Sequence, residues 1–87
     1  MAETEVYRHQ LKAIHTEDWF YTLYAYNEHL ILSVLCGSVG LYETNVYLPW
    51  DIQEAYQENG LTVLSALAEK IRQSPNSYNM RRVQILD

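Results

Sequence analysis

The chain has one cysteine, three glycines and no lysine or arginine between Lys12 and Lys70. Each shortage removes a class of protein. A lone Cys36 cannot close an internal disulfide. The opening Met1-Ala2-Glu3-Thr4-Glu5 also lacks the basic residues and apolar run of a signal peptide, so a reducing, cytoplasmic setting is expected. Gly37, Gly40 and Gly60 are too few and too scattered to cradle a phosphate. No G-x-x-x-x-G-K-S/T, G-x-G-x-x-G, H-E-x-x-H or G-x-S-x-G occurs. The longest apolar stretch, residues 30–36, is broken by Ser33 and falls far short of the roughly 20 residues a helix needs to span a bilayer, so no membrane segment is expected.

What is present suffices for one core. The 87 residues are 48% hydrophobic, with eight tyrosines and two tryptophans, which is too apolar for a disordered chain. Residues 1–87 are therefore read as one folding unit. The net charge of −5 is unevenly spread: residues 1–60 hold nine acids against two bases, and residues 61–87 two acids against four bases. Such charge ordinarily keeps small proteins apart in solution. Concentrated on one stretch, it also attracts a basic protein and raises the rate of encounter, while repelling a phosphate backbone. Direct nucleic-acid binding is therefore not expected, and the one basic cluster, Arg81-Arg82 with Lys70 and Arg72, is read as ordinary surface charge.

Residues 19–48 contain three runs of β-favouring residues separated by turn candidates. Asn27-Glu28 is one turn, and Gly37-Ser38, with Gly at the first position of a type II′ turn, is the other. Two-residue loops at both would set Tyr24 opposite Ile31 and Ile31 opposite Thr44, and Leu23 opposite Leu32 and Leu32 opposite Glu43. One face then carries Trp19, Tyr21, Leu23, Ala25, Leu30, Leu32, Val34, Cys36, Val39 and Leu41, and is the predicted core face. The other carries Phe20, Thr22, Tyr24, Tyr26, His29, Ile31, Ser33, Leu35, Tyr42, Thr44 and Val46.

Beyond the meander, Pro49 and the acids Asp51 and Glu54 mark a helix start, and Asn59-Gly60 its stop. Leu61, Leu64, Ala68 and Ile71 recur at helical spacing, widened by Val63 and Leu67, until Ser74-Pro75, predicting a second helix over 61–73 packed on the core face. Residues 80–86 alternate in the manner of an edge strand. Residues 6–14 fit either a strand or a helix; the strand is preferred because His15-Thr16-Glu17-Asp18 suits a four-residue hairpin loop into the meander. The predicted fold is α+β: an antiparallel three- to four-stranded β-meander with one or two helices packed on one face.

No reactive constellation emerges. Cys36 sits in an apolar strand without a basic neighbour to activate it. His9, His15 and His29 lack the paired spacing of metal ligands, so neither metal nor cofactor is expected. Glu17-Asp18 and Asp51 with Glu54 lie where turns and helix starts ordinarily place acids. A non-enzymatic role is expected.

The second sheet face stands out, because Phe20, Tyr24, Tyr26 and Tyr42 would lie in water on a sheet covered from one side only. Either the N-terminal segment or the helix at 49–59 folds over them, or a partner does. The leading expectation is a small acidic protein-binding module of inhibitor or immunity type. It would meet a basic, nucleic-acid-handling partner through Phe20, Tyr24, Tyr26, Tyr42, Glu17, Asp18, Glu28 and Glu43. The alternative is a structural role in which the aromatic face forms a homodimer.

Overall fold

The computed structural model describes residues 4–37, 40–74 and 82–87. The elements run β1 (Thr4–Tyr7), a 3-10 turn (Arg8–Gln10), β2 (Lys12–Glu17), β3 (Tyr21–Tyr26), β4 (His29–Cys36), β5 (Tyr42–Tyr47), α1 (Trp50–Asn59), α2 (Leu61–Gln73) and β6 (Val83–Leu86). Strands β2 to β5 form a four-stranded antiparallel meander in chain order, and β1 and β6 form a separate parallel pair. The α+β meander with two helices is thus the observed architecture. Ser38, Val39, Pro75, Met80 and Arg81 lie outside the described residues.

The tightest turn sets the central register. Asn27 takes a φ of 54°, which Asn tolerates better than most residues, and Tyr26 pairs with His29 across it. Tyr24 then faces Ile31 and Leu23 faces Leu32, as the sequence predicts. The next register differs. Ile31 faces Tyr47 rather than Thr44, and Leu32 faces Val46 rather than Glu43, because five residues and not two join β4 to β5. Gly37 still opens the connection, at a φ of 96° where an added Cβ would collide with the Gly40 carbonyl. The offset is odd, so it turns β5 over: Tyr42, Thr44 and Val46 join the face of Cys36, Val34 and Leu32.

The N-terminal segment is neither one strand nor a helix. The Gln10 side chain accepts from the Tyr7 amide and Leu11 N–H donates to the Arg8 carbonyl, closing a 3-10 turn that divides residues 6–14 between β1 and β2. β2 continues to Glu17, so the reversal falls at residues 18–20 instead of the predicted 15–18. Trp19 sits there with a φ of 63° and is 77% exposed, not in the core. Leu41, also predicted inside, is exposed in the β4–β5 connection.

Three layers result. Leu64, Leu67, Ala68 and Ile71 of α2 bury against Tyr21, Leu23, Leu32, Val34 and Cys36, with Ile52 and Tyr56 of α1 alongside. Gly60, at a φ of 78°, separates the two helices by one residue. Burying side chains of this size stabilises the fold by roughly 1.5–3 kcal/mol each. On the opposite face, Val6 of β1 and Val83 of β6 bury against Ile31, with Tyr24, Tyr26 and Tyr47 packed around them. Part of the tyrosine-rich face is therefore a second small core.

Candidate functional site

The parallel pair covers only half of its sheet face. The covered half is the cross-strand row Tyr24, Ile31 and Tyr47, all in the second core, while Ala13 at the β2 end of that row is exposed. Two residues along β3, β4 and β5, and three along β2 where a bulge follows Ala13, the same face carries Thr16, Thr22, Ser33 and Asn45, placed directly opposite one another. This row is polar from one edge of the meander to the other. Thr16, Thr22 and Ser33 form the floor of an open cavity of about 160 Å³ that also takes in Leu35, with Asp18, Trp19 and Glu43 exposed at its rim, whereas Asn45 lines a separate cavity with Arg82, Val83 and Gln84.

The floor is sparsely bonded. Ser33 is 3% exposed, and its hydroxyl reaches only the Glu43 carboxylate, at 3.4 Å. That distance is long for an O–H···O bond. Asn45 Oδ1 is buried without a hydrogen bond among the described residues. Buried polar atoms nearly always find a partner, so the weakly bonded Ser33 hydroxyl leaves capacity for a ligand at the cavity, while Asn45 faces the separate cavity beside β6.

The rim is held from beneath. Arg72, from the last turn of α2, donates through Nη2 to the Trp19 carbonyl at 2.7 Å and through Nε to the Leu35 carbonyl at 3.2 Å. Its guanidinium lies 5.1 Å from the centre of the Phe20 ring. A bulky residue with positive φ persists only where its surroundings fix it. These bonds fix Trp19. Beside the cavity, Arg8 bonds Asp87 at 2.9 Å, lies 3.9 Å from Glu43 and donates to the Tyr24 hydroxyl at 3.4 Å. The hydrogen bond that Arg8 donates to Asp87 raises the Arg8 pKa above its ordinary value, against the opposing effect of burial.

Of the residues expected to bind a partner, Glu17, Asp18 and Glu43 come together at this cavity. The Glu17 carboxylate is engaged by His15 at 2.9 Å, which leaves Asp18 and Glu43 as its acidic rim. Phe20 also reaches the cavity, but its ring turns to the helix side and packs on the main core. Tyr24 and Tyr26 lie half-buried in the second core. Tyr42 is on the helix side, and Glu28 occupies the turn at the far end of the sheet. Sequence reasoning missed Trp19, which alternation placed inside, and the polar row. Its signal was visible as Thr22 and Ser33 at facing positions, masked by the aromatic residues around them.

Cys36 is fully buried, its sulfur 3.4 Å from the Thr44 hydroxyl. Among the described residues no cluster of His, Cys, Asp and Glu is arranged to hold a metal ion, and no helix is long and apolar enough to cross a membrane. Comparison with protein-family models, curated proteins and solved structures finds no match for this chain.

Proposed function

We propose that this chain is a small acidic protein-binding module, of the kind that inhibits or neutralises a basic, nucleic-acid-handling protein, and that it meets its partner with the Trp19 end of the sheet. The observation that carries this reading is Trp19 itself, a large indole held in a strained backbone conformation and left in water beside an acidic rim. Strained residues concentrate where function demands them, and tryptophan is enriched among the residues that dominate binding energy. The long stretch without Lys or Arg supplies the field that steers a basic partner. Self-association through the tyrosines has no common face to use, because Tyr24 and Tyr26 lie under β1 and β6 and Tyr42 on the other side.

The test uses Trp19 as its own reporter. Trp50 is exposed near the opposite end of the sheet, so Trp50→Phe leaves one tryptophan. A short oligo-arginine peptide should change Trp19 emission at low salt, with an affinity that falls as salt screens the charges. Asp18→Asn and Glu43→Gln should weaken binding, and Glu28→Gln should not. Unaltered Trp19 emission throughout the low-salt titration would sink the proposal.

A further inference from the structure

We infer that the cavity beside Trp19 is a socket for a single arginine side chain of the partner; this rests on the basic-partner reading and specifies how that partner is recognised.

Size comes first. About 160 Å³ is well below the roughly 300–1,000 Å³ of sites that enclose small molecules. It resembles the roughly 150 Å³ engineered cavity that holds one benzene. The space suits one planar group on a side chain, and a cofactor would not fit.

Chemistry narrows the choice. The floor presents oxygen atoms, namely the hydroxyls of Thr16, Thr22 and Ser33, and Glu43 and Asp18 stand at the rim. An anion would find no ammonium or guanidinium among the residues lining this cavity. Facing side chains on neighbouring strands have Cβ atoms about 4.5–5.5 Å apart, so the acceptors are spread in a row. Guanidinium carries five donors in a flat fork and can address several such acceptors at once, whereas an ammonium concentrates three donors at one point.

The surroundings favour the same group. Guanidinium stacks on aromatic rings, and the exposed indole of Trp19 stands at the cavity mouth. The protein's own Arg72 already occupies this end of the sheet from the other side, over Phe20 and bonded to two carbonyls. Arg8 stands 3.9 Å from Glu43, but its short bond is to Asp87. Both contacts of the half-exposed Glu43 carboxylate, from Ser33 at 3.4 Å and Arg8 at 3.9 Å, are long ones that an entering fork can replace.

The experiment compares three peptides of equal charge on the Trp50→Phe protein: a lysine-rich peptide with one central arginine, the same peptide with lysine there, and the same peptide with dimethylarginine, which keeps the charge and blocks the bidentate contact. The arginine peptide should bind about tenfold tighter than either of the others. It should also shift the backbone amide resonances of Thr22 and Ser33 where the lysine peptide does not. Thr22→Val with Ser33→Ala should bring the arginine-to-lysine affinity ratio close to one. Equal affinities for all three peptides, with Trp19 still responding, would overturn the socket and leave the basic-partner reading standing. No Trp19 response to any of them would remove both. The amide shifts need no variant, so the inference stays testable even if the double substitution unfolds the chain.

Discussion

One face of one sheet carries two opposite solutions to exposure. Around Ile31 the row is aromatic and aliphatic, and a parallel strand pair from the two ends of the chain seals it. Around Ser33, two residues further along β4, the row is Thr16, Thr22, Ser33 and Asn45, polar throughout, and its first three residues border the open cavity. The covered row is stabilised by the removal of apolar surface from water. The open row keeps under-bonded polar atoms beside a strained tryptophan. Each unsatisfied buried polar group costs about 1–3 kcal/mol, and a left-handed non-glycine residue about as much. The same sheet therefore places its stabilising contacts at one end of this face and its costs at the other.

The largest effect should come from breaking the covered half. Ile31→Ala should cost about 2–5 kcal/mol, since Ile31 is fully buried and its neighbours on β1 and β6 cannot collapse without breaking their own pairing. Urea unfolding measures it. A loss below about 1 kcal/mol would mean that the parallel pair is a loose cover and that the two halves do not differ as described.

Trp19 sharpens the contrast from the other half. Asn tolerates positive φ, so Trp19→Asn should raise stability by about 0.5–1 kcal/mol while abolishing oligo-arginine binding measured by titration calorimetry. Stability and binding would then move in opposite directions at one residue. If both fall, the indole is a structural part of the turn.

The sequence made some of this architecture legible and hid the rest for identifiable reasons. Both helices and the β3–β4 register rest on local chemistry: Pro49 ahead of α1, Gly60 between the helices, and Asn27 in a two-residue turn. Gly37 was equally visible, but a glycine with positive φ fits loops of several lengths, and three extra residues exchange the faces of an entire strand. The β1–β6 pair could not be seen, because parallel pairing between Thr4 and Val83 depends on the whole chain lying between them. Trp19 was misplaced because alternation assumes extended backbone, and a residue with a φ of 63° does not obey it. The acidic rim at Asp18 and Glu43 was anticipated from charge, whereas the hydroxyl floor needed the register.

The boundary between the halves offers a smaller test. Arg8 bridges them, touching Tyr24 on the covered side and Glu43 on the open one. Its contacts are largely exposed, so Arg8→Ala should cost only about 0.5–1 kcal/mol, and the difference from the unsubstituted protein should shrink at high salt. A salt-independent loss would show that Arg8 acts through packing of its stem.

The smallest effect should be at Tyr42, and it decides whether the observed β5 register governs behaviour in solution. Were β5 in the register suggested by a two-residue turn, Tyr42 would lie on the same face as Tyr24 and Tyr26, and a charge there would disturb any assembly through that face. In the observed register Tyr42 is 51% exposed on the helix side, at the end of the sheet opposite Tyr26. Tyr42→Glu should therefore change stability by no more than about 0.5 kcal/mol. It should also leave the solution mass by light scattering unchanged at low and high salt. A dimer in the unsubstituted protein that Tyr42→Glu dissociates would return the tyrosines to a common interface and contradict the register.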